Sequence, residues 1–417
     1  MSLNRTKGGF VCFSTACAVV GILACSKQPS GERALEPASG TTQGVTAIDQ
    51  QSDDMSPATV AEGRKVFRFD TFGDEQFWTD KLKMHEVVAK NVSPKTALSV
   101  GLKVDAEAIP PEVAQAIKDG KVNLDSPDTT VTLLKINAVV GLKGTVKTEN
   151  GKDTLVALGI TCALCHSTVD DSFAKGIGKR LDGWPNRDLN PGAIIALSPA
   201  LTAEQKSAYS SWGAGKYDPR MNLDKKNTPL VLPPAYGLAS VKNETYTAEG
   251  PISYWNAYVA VTQMGGKGTF TDPRLGIDMK SGTDMVSSKL GALRSYQHSL
   301  ATPPPPAGSY DATAAGRGQA IFGKSCASCH VGGNGTDNNE GKLHQPDETG
   351  MDGAYAARTS SKAYRTTPLR GLWQHAPYFH DGSAKTLMDV VDHYDRVRSL
   401  KLGAEDKKDL VEYLKSL

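Results

Sequence analysis

Hydrophobic and polar residues fall along this chain in blocks of different period. Residues 8–24 are mostly small and apolar behind Arg5 and Lys7, with no acidic residue intervening. That is the layout of an export signal, too short and too early for a spanning helix. Residues 26–58 are rich in Pro, Ser, Gly and Thr and poor in large apolar groups, which predicts a flexible tether. From Ala61 aromatics cluster, and Trp78, Leu82, His85 and Val88 recur at helical spacing, predicting an extension packed on a first domain. Residues 129–158 are rich in β-branched side chains and broken at Asn150-Gly151, a hairpin signal, so a short β-ribbon is expected there. Turn-rich segments follow, then a helix through SSKLGALRSYQHSL that stops before Pro303–Pro306. Beyond the prolines, helices are expected in AAGRGQAIFGKSCASCH and, closing the chain, in GAEDKKDLVEYLKSL.

The boundaries this implies are a signal at 1–25, a tether at 26–58, an extension plus first domain at 59–301, a proline-rich linker at 302–309 and a second domain at 310–417. A length of 417 residues with 39% hydrophobic content suits two ordinary cores. The two halves are alike in outline, each with a cysteine motif and an apolar helix at its end, so a duplicated module is plausible.

The seven cysteines sharpen the picture. Cys12 and Cys17 leave with the signal, and Ile22-Leu23-Ala24-Cys25 resembles a lipoprotein signal in which Cys25 takes the lipid. Cys162, Cys165, Cys326 and Cys329 remain, in GITCALCHST and GKSCASCHVG. Four cysteines in an exported chain are able to form two disulfides, but each pair here is followed directly by a histidine. Cys-x-x-Cys-His is the attachment signature of c-type haem: two thiols bond the haem edge and the histidine lies beneath the iron. Zinc sites and thioredoxin-like dithiols do not require that histidine. Two covalently bound haem c groups are therefore expected, with His166 and His330 as proximal ligands. The fold class that follows is mainly α, with two cytochrome-c-like haem domains, a long N-terminal extension and a short β-ribbon.

The sixth ligand decides what each haem does. No histidine lies between His166 and His298, whereas His344, His375, His380, His393 and Tyr394 lie in the second half. Met221, Met264, Met279 and Met285 read as core filling. His85 and His298 read as packed or capping residues. The asymmetry predicts a reactive first haem and an electron-relay second one.

The stretch YRTTPLRGLWQHAPYFHDGSAKTLMDVVDHYD, residues 364–395, together with the two haem motifs, resembles the bacterial diheme cytochrome c peroxidase superfamily. That superfamily includes the diheme enzyme that matures the tryptophan-derived quinone of methylamine dehydrogenase. The resemblance is specific over about 310–417, loose over about 155–300, and leaves 26–150 outside. It implies Tyr394 as sixth ligand of the second haem, with His380, a residue near a propionate in the peroxidases, as its rival. It also implies a calcium ion held by Asn227 and the carbonyls of His375 and Pro377. Arg370 is a candidate for pairing with a propionate. The first half departs from the peroxidases: the stretch from Ser253 to Ala257, then VTQMGGKGTF, holds no glutamate, leaving Gln263 and Asp272 as weak substitutes for a proton donor. There the layout of Trp255 and Phe270 is similar to the diheme rubber oxygenases, implying that Phe270 and Trp255 shape a distal pocket.

Without residues 1–24, which hold Arg5 and Lys7, the 47 basic residues fall to 45 and balance 45 acidic ones. This gives no electrostatic case for nucleic acid. The expected setting is periplasmic, with lipid as the only tie to a membrane. Expected partners are a small redox substrate (peroxide, dioxygen or an organic molecule) and a periplasmic electron carrier. An oxygenase and a pure electron-transfer cytochrome are the alternative readings.

Overall fold

Ser56 and Pro57 show how the chain enters its first helix. The Ser56 hydroxyl accepts the Thr59 N–H, and Pro57 sits in the first turn, where a missing N–H costs nothing. This computed structural model describes residues 53–417. The signal, Cys25 and the tether as far as residue 52 lie outside the described residues. The longer elements are α1 (Pro57–Phe69), α2 (Met84–Asn91), α3 (Pro127–Lys135), β1 (Leu142–Glu149), β2 (Lys152–Ile160), α4 (Ile252–Tyr258), β3 (Gly268–Asp272), β4 (Ile277–Ser281), α5 (Leu290–Ser299), α6 (Ala312–Ser325), α7 (Leu387–Arg398) and α8 (Ala404–Lys415). Strands pair only as two-stranded ribbons, β1 with β2 and β3 with β4 among them. The chain is therefore mainly helical, as its pattern predicts. Among the described residues no helix is long and apolar enough to cross a membrane.

Two helix pairs organise the protein. α1 packs on α5, and α6 packs on α8. Each crossing runs over a glycine: a Cβ on Gly63 would overlap the Ala292 carbonyl, and one on Gly318 the Asp409 carbonyl. Backbone thus meets backbone, and any side chain forces the helices apart. Gly63→Ala and Gly318→Ala are each expected to lose about 1–3 kcal/mol in denaturant unfolding at unchanged haem content, although alanine is the better helix former.

The pairs also place the cysteine motifs. Cys326 is the C-cap of α6, so the second motif follows its helix directly. In the first half α1 ends at Phe69, far from Cys162 in sequence. Yet the Thr161 hydroxyl donates to the Arg68 carbonyl at 3.1 Å, returning the chain to the end of α1. Residues 70–160 are an excursion with its own core, including Trp78, Met84, Leu134, Leu155 and Leu158.

Three expectations need correction. The Trp78–Val88 stripe is not one helix: Lys83 is left-handed (φ 56°) and splits a π-type turn at Gln76–Lys81 from α2. Trp78, Leu82 and Val88 still share one cluster. The ribbon begins at Leu142, because Ser126 caps α3 and Pro127 starts it, and burial of Val131, Leu133 and Leu134 outweighs β-propensity. Asn150 and Gly151, both at positive φ, do turn β1 into β2. Finally, the described end of the tether is fastened: Asp53 pairs with Arg294 at 3.0 Å and His298 at 2.6 Å, both on α5.

Asp74, fully buried, accepts the Ile160 N–H at 3.2–3.3 Å beside Asp70 and Glu75. Burial, with those neighbouring charges, pushes its carboxyl up to about 9. The folded chain then holds a proton that the unfolded chain gives up near pH 4, so stability declines as pH rises from about 4 to about 9. Asp74→Asn is expected to stabilise by about 1–3 kcal/mol near pH 8 and by nothing near pH 4, read from unfolding curves across pH.

Candidate functional site

The first motif closes on itself in one turn. Cys162 caps the short helix Ala163–His166, and its carbonyl accepts the His166 N–H at 3.2 Å. Beyond it, the carbonyls of Cys165 and His166 accept from Asn186 and Gly183. The His166 ring meets the Pro233 carbonyl through Nδ1 at 3.0 Å, and the His330 ring meets the Gly335 carbonyl through Nδ1 at 2.9 Å. A carbonyl only accepts, so Nδ1 carries the proton in both rings. Nε2 keeps its lone pair, the state an imidazole needs to bind a metal. Burial lowers His166 to about 4 and holds His330 below its ordinary value, so both rings are neutral. The four cysteines form no disulfide with one another. Burial pushes Cys162 and Cys165 up to about 12 and Cys326 to about 11.

Each motif faces a different surrounding. Cys326, Cys329 and His330 wall an open, mostly apolar cleft. Arg187 and Arg365 line it too, with Nε and Nη1 of the first and Nε of the second buried and unpartnered. A large, mostly apolar group bearing carboxylates would satisfy such a space, so haem c fits. At the first motif Cys162 packs on the cluster that contains Trp255, Phe270, Tyr254, Tyr258 and Met264, while Cys165 packs on the core of the excursion.

The candidates for the second centre separate clearly. Tyr394, on α7, lines the cleft, and burial raises its phenol to about 12. Its hydroxyl makes no hydrogen bond among the described residues. His380 stacks on Tyr364 at 4.4 Å, with Nε2 3.1 Å from the Tyr364 hydroxyl. That hydroxyl donates to the Asp352 carbonyl at 2.8 Å, so it accepts from His380, and Nε2 carries the proton. His344 lies between Asp337 and Glu348, His375 bonds the Tyr236 hydroxyl, and His393 bonds the Thr349 carbonyl. Phe379, held at φ 66°, sets its ring 6.0 Å from that of Tyr394.

Around the first motif the structure brings Trp255 and Phe270 together but not Gln263. Phe270 is buried, its ring 5.2 Å from those of Tyr254 and Tyr258. The Trp255 indole N–H is buried without a partner. Gln263 instead accepts the Tyr217 hydroxyl at 3.0 Å and donates to Asn222. Asp272 is no proton donor: burial pushes it up, but Arg274 and the Tyr254 hydroxyl outweigh that and hold it below the usual carboxylate range. Met264 is buried in the core and His298 is bound to Asp53.

Asn227, His375 and Arg370 each make contacts within the chain. Asn227 gives its Oδ1 to the Trp212 indole at 2.8 Å, and the His375 carbonyl accepts from Arg187 at 3.2 Å. Arg370 donates through Nη1 to the Gly237 carbonyl at 2.5 Å and lines the cleft beside the second motif. The sequence reading missed Tyr217, half-buried and within electrostatic reach of Cys165, and an aromatic bridge. In that bridge Trp184, next to the Gly183 that bonds His166, lies 5.6 Å from Trp373 and 6.3 Å from Tyr236, whose hydroxyl reaches His375. Nothing in local spacing signals either.

Comparison with known proteins agrees with this chemistry. Residues 363–401 match the family model described as RoxA-like, cytochrome c-like. The cytochrome-c peroxidase IdrP1 of Pseudomonas sp. (strain SCT) is 30% identical over 147 residues, 24% of this chain and 39% of that protein. The methylamine utilization protein MauG of Methylorubrum extorquens is 29% identical over 127 residues, 24% of this chain and 33% of MauG. The hydrazine synthase subunit gamma of Kuenenia stuttgartiensis is 41% identical over 63 residues, 13% of this chain and 17% of that subunit. The chain thus spans well under half the length of these relatives. Over the stretch they share it is similar to the diheme cytochrome c peroxidase superfamily, haem c oxidoreductases, as the motifs around His330 and Tyr394 imply.

Proposed function

We propose that this chain is an exported diheme c-type cytochrome with oxidoreductase activity, in which the centre at Cys162, Cys165 and His166 binds peroxide or dioxygen and the centre at Cys326, Cys329 and His330 relays electrons. The reading rests on one observation above all: two Cys-x-x-Cys-His motifs, each at a helix end, each with its histidine turned by a carbonyl so that Nε2 is bare. The repeated helix pair, crossing at Gly63 and at Gly318, supports a duplicated module. Haem c supplies one-electron chemistry and, at an open axial position, a place for a small oxygen ligand.

The chain's own residues divide the work. Trp255, Phe270 and Tyr258 keep water from the first centre, and the Trp255 N–H is the donor left free there. Tyr217 offers a polar group near Cys165. Tyr394 offers the second centre an unengaged oxygen. Trp184, Tyr236 and Trp373 offer an aromatic path between the two. A periplasmic electron carrier and a lipid on Cys25 complete the proposal.

The RoxA-like match favours a second reading, in which dioxygen is the ligand and an organic molecule is cleaved. Optical and EPR spectra of the full holoprotein, with hydrogen peroxide, carbon monoxide and dioxygen added in turn, test both. One ligand-responsive high-spin haem beside one low-spin haem is the expected result. A high-valent state formed with peroxide marks the peroxidase, and a stable dioxygen complex the oxygenase. Two inert low-spin haems would leave only an electron carrier.

A further inference from the structure

Arg187 and Arg365 are half-buried cations with buried donors that lack partners. Arg187 spends Nη2 on the His375 carbonyl at 3.2 Å and leaves Nε and Nη1 buried and bare. Arg365 spends Nη1 and Nη2 on the carbonyls of Asn243 and Glu244 and leaves Nε bare. Neither forms an ion pair among the described residues. Burial pulls Arg187 below its usual value and Arg365 down to about 10. A buried guanidinium with unmet donors is costly until an anion completes it, and its fork suits a carboxylate.

Both arginines wall the cleft that holds Cys326, Cys329 and His330, and Glu244, whose charge supports Arg365, lines it too, so a group bonded to that motif would bring its carboxylates to donors that Glu244 leaves bare. Arg187 also serves the other half. The loop Pro233–Leu238, whose Pro233 carbonyl orients His166, forms part of the same cleft wall as Arg187.

We propose that Arg187 and Arg365 anchor the carboxylates of the haem on His330, and that Arg187 makes the charge state of that haem felt at the first motif. This rests on the two-haem reading above.

The test uses full-length holoprotein carrying Arg187→Gln, Arg187→Lys or Arg365→Gln. Resonance Raman spectroscopy reads the propionate bending bands, and a redox titration resolves the two haems by spin state. In Arg187→Gln the propionate band of the His330 haem shifts. The midpoint potentials of both haems fall, because losing a cation favours the more positive oxidised form. Arg187→Lys keeps the charge but not the fork: the band still shifts while the potential of the first haem returns. Arg365→Gln alters the second haem alone.

Unchanged bands and potentials in variants with full haem content overturn the assignment, and so does a change confined to the first haem. A band that shifts only when acetate is added assigns the donors to a free carboxylate and overturns it too. If the unsubstituted chain carries a single covalent haem by mass, the two-haem reading itself fails, an outcome distinct from the others.

Discussion

A chain with Cys162→Ser and Cys165→Ser is expected to keep half of its covalent haem and to lose its response to peroxide and carbon monoxide. The low-spin spectrum of the other centre should persist. The expectation follows from the separation of the surroundings: Cys162 packs with Trp255 and Phe270, whereas Cys326 and Cys329 wall a cleft that holds Tyr394. Serine keeps the volume near that of cysteine but forms no thioether, so the scaffold is disturbed little before the group is lost. The reverse pair, Cys326→Ser with Cys329→Ser, should keep the ligand-responsive haem and lose the low-spin one. Intact-protein mass gives the haem count and optical spectra give the assignment. Carbon monoxide binding that survives the first pair of substitutions and vanishes with the second would exchange the roles of the two centres.

Tyr394→Phe is expected to convert the second haem almost wholly from low to high spin, while His380→Gln leaves it low-spin. The tautomer decides between them. His380 Nε2 holds a proton directed at Tyr364, because the Tyr364 hydroxyl is already spent on Asp352, whereas the Tyr394 oxygen is uncommitted inside the cleft. To ligate through Nε2, His380 would have to give up that bond and its 4.4 Å stack on Tyr364. Phenylalanine keeps the ring of Tyr394, so its contact with Phe379 survives and the change reads the oxygen alone. EPR at liquid-helium temperature separates the outcomes: a new high-spin signal in His380→Gln, with none in Tyr394→Phe, would make the histidine the ligand.

What the sequence disclosed was what short-range chemistry controls. The haem motifs are contiguous. The β1–β2 turn is written in Asn150-Gly151, and α5, α6 and α8 carry their own periodicity and stops. What stayed hidden depends on residues far apart. The pairing of α1 with α5 needs Gly63 to meet Ala292, and the return of Thr161 to Arg68 crosses the whole excursion. Arg187 looks like any loop arginine until folding buries it against His375. α3 was hidden for a different reason, since its β-branched residues outvoted the Ser126-Pro127 start.

The excursion has a cost in time rather than in stability. α1 and α5 are separated by residues 70–289, and α6 and α8 by residues 326–403, a loop about three times shorter. The extra closure entropy is only about 1 kcal/mol. The difference in sequence separation, however, sets the order of events, and the C-terminal pair is expected to close first during refolding. Val66 and Phe67, buried when α1 docks, then stay uncovered longest, which makes α1 the stretch most open to aggregation or proteolysis before the native state is reached.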